Sequence, residues 1–549
     1  MSNILGIFNI GKLALFANQR ALAVTSQNIA NLNTPGYSRQ EAVLQSTSPA
    51  NDLPGQIGTG VQVTEIRRVF DQFIQTQLTS EQSTLGRLDV EKGALAQVEA
   101  VFNDAQGTGV SQSLSQFFSA LHDLANNPQG IAERTALLEQ TRSLISQFST
   151  ANNQLQQIRK DLNGEIQGVI GEVNSLATQI ANLNGQIRQA EVSGQNANDL
   201  RDQRDGLLKD LSEKIDIHTI DGEFGQVNVT VGQGTPLVES KAYTLQGVAN
   251  ADNSGFVKVA LDLGTGSTTD ITSSIGNGQL KGLIDLRDNL IPGYSDRLDR
   301  LAATIVNEVN QQHQAGYGLD GSTGNNFFSP LAPTVTGLSR NTGSGAIGAT
   351  VNNPTLLTFD PYRLSFAGGN YTIQNLTTGA SSTAAYVNPT TITFEGLQIN
   401  MAGAPANGDT FEISAHQGVA GSMALATTDP RKIAAASSAG GVPGDNSNAL
   451  LLAQLQEKGV TALGGSTFND FYGQTVGQIG SDSQAAQHSL TAEKVINENL
   501  TQQRGEVSGV SLDEETTNLI KFQRAFEASA RLITVADQLL QTILDMKTT

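Results

Sequence analysis

Five histidines, His122, His218, His313, His416 and His488, are the first places to look for chemistry. None sits in an HExxH pair, and no two are four residues apart, so no helix offers two of them as zinc ligands on one face. Their expected place is the surface or a loop. The chain has no cysteine, which removes disulfides, thiol nucleophiles and thiolate metal sites. It has no GxxxxGK[ST] phosphate loop, no GxSxG elbow and no EF-hand loop. Asp320-Gly-Ser-Thr-Gly324 could cradle an ion, but an ordinary turn accounts for it better. The run DLRDQRD at 199–205 reads as a solvated helix face or as an ion-pair patch between subunits. In its helix, Asn198 is a candidate cap, and Arg201 and Asp205 are spaced to pair. These residues point to no enzyme, no cofactor and no metal.

The chemistry that remains is burial of apolar surface, and its strongest pattern lies at the two ends. Phe8, Leu15, Leu22 and Ile29 recur every seven residues, with Ile10, Ala17 and Val24 as a thinner row beside them. This predicts a helix with two usable faces. It must stop near Asn33, because Pro35 disfavours the α region for Thr34 and Gly36 permits a positive φ. At the other end, Ser511 can cap a helix, with Glu514 at the capping-box position. Leu519, Phe522, Phe526, Ser529, Ile533, Ala536, Leu540 and Ile543 step by three and four. Ala525, Ala528, Leu532, Val535 and Leu539 form a second row. One face of each helix can pack on the other as a coiled coil. The second faces are left over and must meet another copy or another protein. Asn33-Thr34-Pro35-Gly36 then turns the chain outward, and Tyr37 and Arg39 are expected at an elbow between subunits.

Between the ends, 61–66 alternates like a strand and stripes of helix follow at 85–102 and 111–125. The longest stripe is Leu137, Thr141, Leu144, Phe148, Ala151, Leu155, Ile158 and Leu162, then Ile166, Val169, Val173, Leu176, Ile180, Leu183, Ile187 and Ala190. It predicts a rod roughly 80 Å long with one stutter at Leu162–Ile166. Gly164, Gly168 and Gly171 near the stutter allow a bend or a close helix approach. Alternation at 227–231 and 256–259 signals β structure, helix returns at 280–312, and 363–366, 370–375, 390–394 and 410–413 are further strands. From about 429 to the end the pattern is helical again, with a loop near Gly440–Asn448.

The fold class is therefore mainly α with all-β insertions: a terminal coiled-coil core, a long-helix bundle and two β-rich outer domains. The expected division is 1–60 with 506–549, then 61–214 with 280–315 and 430–505, then the insertions 215–279 and 316–429. With 549 residues, several cores are required. A net charge of −19 argues against nucleic acid and anionic lipid as partners. The first sixteen residues lack a basic start and an unbroken apolar run, so no cleaved signal is expected, and no stretch is long enough for membrane insertion.

Asn28-Ile-Ala-Asn-Leu-Asn-Thr-Pro-Gly-Tyr37 resembles the signature of the bacterial flagellar axial proteins, the rod, hook and hook-associated family. Ser508 to Glu515, with Phe522 to Ala530, is similar to that family's C-terminal signature. Tyr37-Ser-Arg-Gln40, Asn198 to Asp205, Gly278 to Arg287, Asn310 to His313, Gly321 to Phe328 and Phe468 to Phe471 resemble the hook-associated, hook–filament junction members. The resemblance implies structural work, as a ring of copies between hook and filament, and an extracellular place in the flagellum. It implies export by the flagellar type III route with an uncleaved N-terminus. Its implied partners are other copies of the chain, the hook protein, a second, filament-side hook-associated protein and a cytosolic export chaperone. The residues it marks for assembly are Asn28, Asn31, Asn33, Thr34, Pro35, Gly36, Tyr37 and Arg39, with Phe8, Leu15, Leu22 and Ile29 on the first helix. On the last helix Leu519, Phe522, Phe526, Leu532, Ile533, Val535, Leu539, Leu540 and Ile543 would serve assembly and chaperone binding. The alternatives are a hook or distal rod protein and, far behind, a secreted adhesin or hydrolase.

Overall fold

The first helix stops at Ala30 because Pro35 and Gly36, with φ at +83°, turn the chain out of the α region. The structure, a computed structural model, describes residues 2–52, 55–103, 109–232, 234–264 and 266–548. Its helices are α1 Ser2–Ala30, α2 Gln72–Val101, α3 Val110–Asn126, α4 Ile131–Val192, α5 Asn198–Lys214, α6 Gly278–Asp285 and α7 Ile291–Gln314. They continue as α8 Val419–Ser422, α9 Ser447–Gln454, α10 Phe468–Ser508 and α11 Leu512–Thr548. Asp71 caps α2 by accepting the N–H groups of Phe73 and Ile74, at 2.9 and 3.2 Å.

The rod is one unbroken helix of 62 residues, α4, which is about 93 Å at 1.5 Å per residue. Leu137, Leu144, Phe148, Leu155, Ile166, Val173, Ile180 and Ile187 are fully buried along it. The expected stripe holds to Val173 and then slips by one: Ala177 and Asn184 are buried in place of Leu176 and Leu183. A helix of 3.6 residues per turn drifts from a strict heptad, and Asn184 has partners that Leu183 could not serve. Its Nδ2 donates to Val227 O at 2.7 Å, and its Oδ1 accepts Val227 N at 3.2 Å and Arg204 Nη1 at 3.0 Å. A Cβ added to Gly164, Gly168 or Gly171 would meet nothing within 4 Å. Those glycines mark neither a close approach nor a break in this chain.

The expected helix at 280–312 is instead α6, a π-helical turn Leu286–Leu290, and α7. Pro292, in the first turn of α7, lacks the N–H a continuous helix would need there. The slipped turn holds Arg287 inside, with Nη1 on Asn163 Oδ1 at 2.7 Å. The stretch after 429 is also less helical than expected. Before α10 it is loops and short turns around α9.

The first insertion is two three-stranded antiparallel sheets. One joins Ile217–Asp221, Val227–Val231 and Thr235–Val238; the other joins Thr244–Ala249, Val257–Asp262 and Thr268–Asp270. The second insertion is a five-stranded sheet and a three-stranded one, both antiparallel. The larger runs Thr334–Gly337, Thr410–Ser414, Tyr362–Ala367, Asn370–Asn375, Ser381–Ala385; the smaller runs Ala346–Val351, Leu397–Ala402, Thr390–Phe394. Strand Gln40–Ser46 pairs antiparallel with Val61–Arg68, so paired strands lie on both sides of the division expected at 60.

The body is closed by an aromatic knot. Phe117 and Phe118 of α3 lie 5.1 Å apart between ring centres, Phe118 stacks on Phe468, and Phe327 meets Phe328 edge to face at 5.0 Å. Asn310 pins that pair by accepting the N–H groups of Phe327 and Phe328 at 2.9 and 2.8 Å. Two histidines are buried here and nearby: His416 in a loop, and His313 within α7, contrary to the expectation of a surface or loop position. His313 Nδ1 donates to Asn325 O at 2.7 Å, and its Nε2 accepts Ala434 N–H at 3.0 Å. That pairing requires the neutral ring, and burial holds its pKa below 6.5. Its contribution to stability is full above the unfolded value of 6.5 and is lost as pH falls through the lower folded value. The stability of the wild type read from urea unfolding should therefore fall below about pH 6.5, and His313→Gln should remove that part of the slope.

Candidate assembly interface

The terminal signature is built from the backbone outward. Asn28, buried near the end of α1, donates from Nδ2 to Gln40 O at 2.9 Å. Its Oδ1 accepts Gln40 N–H at 3.0 Å and the Tyr37 hydroxyl at 2.9 Å. One side chain thus does what a paired strand would do and folds 37–40 back on the helix. Between them the chain makes two turns, Thr34 N to Asn31 O at 3.0 Å and Tyr37 N to Thr34 O at 3.2 Å. Thr34 Oγ1 also donates to Asn31 Oδ1. Asn33, Thr34, Pro35 and Gly36 are exposed.

Tyr37 and Arg39 both take partners within their own chain at this elbow. Arg39 N–H donates to Ser508 O at 2.8 Å, and its guanidinium pairs with Glu514. Arg504 Nη2 reaches Gly36 O at 2.7 Å. The capping box at 511–514 is accordingly half made: Ser511 Oγ lies 3.5 Å from Glu514 N, while the Glu514 carboxylate goes to Arg39. Burial pushes the Tyr37 hydroxyl far above its ordinary pKa, and Asp199, Asp202 and Glu515 add to this, so it stays a donor.

The elbow is clamped to the body by α5. Ser38 N–H donates to Asp202 Oδ2 at 2.9 Å, and Gln40 Nε2 to Asp199 Oδ1 at 2.6 Å. Arg68 Nη1 bridges Asp202 at 2.8 Å and Asp205 at 2.6 Å, with all three side chains mostly buried. Arg68 also lies over the Phe70 ring, 4.1 Å from its centre. Burial raises the Asp202 carboxyl despite the opposing Ser38 N–H and Arg68. The Asp/Arg run is thus not simply a solvated face: Asp202 and Asp205 are mostly buried, and its carboxylates hold the chain's own elbow. Arg201 pairs with Glu191 at 2.7 Å, not with Asp205. Asn198 makes no cap; its Nδ2 donates to Ile66 O at 2.8 Å. The sequence carried no signal for these partners, which lie more than 130 residues apart.

The terminal helices pack along their length. A Cβ on Gly11 would sit 2.9 Å from Ile533 Cγ1, so α1 and α11 meet closely there, and Asn18 Nδ2 reaches Ser529 Oγ at 3.5 Å. Leu15 and Leu22 share that face with Gly11 and Asn18, and like Phe8 and Ile29 they are half-buried. The thinner row is covered by the chain's own strand: Ala17 is buried and lines a groove with Val61 and Val63. On α11, Leu519, Phe522, Phe526, Ile533 and Leu540 are half-buried, whereas Leu532, Val535, Leu539 and Ile543 are exposed, by 38, 51, 46 and 37%. Leu5, Ile7 and Phe16 add exposed apolar surface on α1 that the heptad rows did not mark.

The ends match family models described as Flagella basal body rod protein (residues 8–37) and Flagellar basal body rod FlgEFG protein C-terminal (501–546). The middle matches Flagellar hook-associated protein FlgK helical domain (95–328) and Flagellar hook-associated protein 1, D2-like domain (337–415). Flagellar hook-associated protein 1 of Escherichia coli (strain K12) is 30% identical over 545 residues, 98% of this chain and 100% of the relative. The chain belongs to the flagellar hook-associated protein 1 family. It is a structural, axial component of the bacterial flagellum. Another member, from Bacillus subtilis (strain 168), is 26% identical over 97% of this chain and 96% of its own length. The flagellar hook junction protein FlgK from Burkholderia pseudomallei shares the fold, with a TM-score of 0.69 and 23% identity over 79% of this chain and 100% of that one. Among the described residues no helix is long and apolar enough to cross a membrane.

Arg68→Met leaves Asp202 and Asp205 buried without their cation, and should cost about 3–5 kcal/mol of stability. Urea melts followed by circular dichroism should show this loss, and Asp202→Asn with Asp205→Asn should restore part of it.

Proposed function

We propose that this chain forms the junction between hook and filament, as a ring of copies joined through their terminal helices. The observation that carries the reading is the exposed row Leu532, Val535 and Leu539 on a folded α11, together with Phe16 and Ile7 on α1. Two paired helices leave this surface uncovered, and burying it against neighbours supplies about 25 cal/mol per Å². A different patch on each side of the contact gives a head-to-tail interface that closes into a ring or winds into a tube. In this reading 1–68 and 506–549 form the inner unit, with the strand pair moved into it. Residues 69–214, 280–315 and 430–505 form the bundle, and 215–279 and 316–429 lie outermost.

The partners in this proposal are other copies, the hook protein and a second, filament-side hook-associated protein. A cytosolic export chaperone would cover the apolar rows of α11 before assembly, because an exposed stripe of this kind aggregates. The route is type III export without signal cleavage, and the destination is the extracellular flagellum. No catalytic role is proposed.

A strain lacking this protein should build complete hooks without filaments; hookless basal bodies would point to a rod or hook role. Leu532→Asp or Val535→Asp should abolish assembly in a polymerisation assay while changing the stability of the body by less than about 0.5 kcal/mol. Phe522→Asp, on the half-buried row, should block assembly and also weaken the α1–α11 seam. Global unfolding by either exposed-row variant would count against the reading.

A further inference from the structure

A cleft of about 490 Å³ lies where the end of strand Val61–Arg68, the first turns of α2, α5 and the hairpin around Gly222–Val227 come together. In a chain of net charge −19, four arginines line it, Arg67, Arg68, Arg201 and Arg204, against Asp205 and Asp221. Three of the cations have carboxylate partners. Arg67 meets Glu41 at 3.1 Å, Arg68 meets Asp202 and Asp205, and Arg201 meets Glu191. Both aspartates are engaged as well, Asp205 by Arg68 and Asp221 by Gln72 Nε2 at 3.0 Å.

Arg204 is the exception. It is 3% exposed and pairs with no carboxylate among the described residues. Its Nη1 donates to two neutral acceptors, Asn184 Oδ1 at 3.0 Å and Gly225 O at 2.6 Å. Its Nε is buried with no partner among the described residues. Burial pulls its pKa down to about 10, and the neighbouring Arg201 and Arg68 push the same way against Asp205 and Asp221. A desolvated guanidinium is costly unless an anion meets it, and its planar fork fits an oxyanion with two parallel donors.

We propose that this cleft binds a small free oxyanion, of the phosphate, sulfate or short carboxylate class, against Arg204, with Arg201 and Arg67 at its sides. The site adjoins the Arg68 clamp, so occupancy braces the seat of the terminal elbow on α5.

Titration calorimetry of the full chain with sodium phosphate, against sodium chloride at matched ionic strength, tests this. Saturable heat is expected, and Arg204→Gln should weaken it by about tenfold or more. Since Arg204 also holds Asn184 and Gly225, a second variant leaves it in place. Thr76→Glu, on the α2 wall of the cleft, offers Arg204 a carboxylate from the chain itself and should abolish phosphate binding in a folded protein. Crystals soaked in selenate should show an anomalous peak beside Arg204. A folded wild type with no saturable heat and no such peak, or unchanged binding in Thr76→Glu, overturns the proposal.

Discussion

Two mostly buried carboxylates of α5, Asp202 and Asp205, and the exposed Asp199 one turn before them hold the segment that follows the first helix. The partners of the three are a backbone N–H, two glutamine amides and one arginine that serves two of them. The buried charges of Asp202, Asp205 and Arg68 are tolerable only when paired, and removing Arg68 strands both carboxylates. The arrangement therefore admits one seating of the elbow on the body. The direction in which α1 and α11 leave the body follows from that seating, because Arg39 and Arg504 tie the same elbow to the ends of α10 and α11.

With the root so held, the terminal helices can afford a loosely buried seam. Their contact is lined by half-buried leucines and phenylalanines and a few small residues, among them Gly11, Ser529 and Ala536. A dry core of the kind found around Phe117, Phe118 and Phe468 is absent from this pair among the described residues. The contrast separates two kinds of packing in one chain. The body has a continuous dry core of its own, whereas the paired ends keep an apolar row available for neighbours in the proposed ring.

Three of the six stretches that single out the hook-associated members prove to be spatial neighbours. Asn310 and His313 of α7, Phe327 and Phe328 after the Asp320 turn, and Phe468 at the start of α10 meet within the same aromatic core as α3. Asp320 itself closes an ordinary turn, its Oδ1 accepting Ser322 N–H at 3.0 Å. The motif residues at this place set packing and backbone hydrogen bonds. Strands with apolar alternation, such as Val227–Val231 and Tyr362–Ala367, are legible in the sequence. Strands such as Thr334–Gly337 and Ser381–Ala385 carry no such signal because they are mostly exposed and rich in Thr, Ser, Gly and Ala.

Local rules were enough for what is local. Helical periodicity located α1, α3, α4 and α11, and the Pro–Gly pair located the end of α1, because side-chain period and allowed φ/ψ act over a few residues. The surplus apolar row of α11 was equally legible, whereas on α1 the second row is covered by the chain's own strand and the exposed apolar residues Leu5, Ile7 and Phe16 lie outside both rows. Only the folded chain decided which row each helix spends on itself. It also decided that Asp202 meets Ser38, that Asn184 displaces Leu183 inward, and that His313 is buried. Those outcomes rest on hydrogen bonds and ion pairs between groups far apart in the chain, and no spacing rule encodes where a buried polar atom finds its partner.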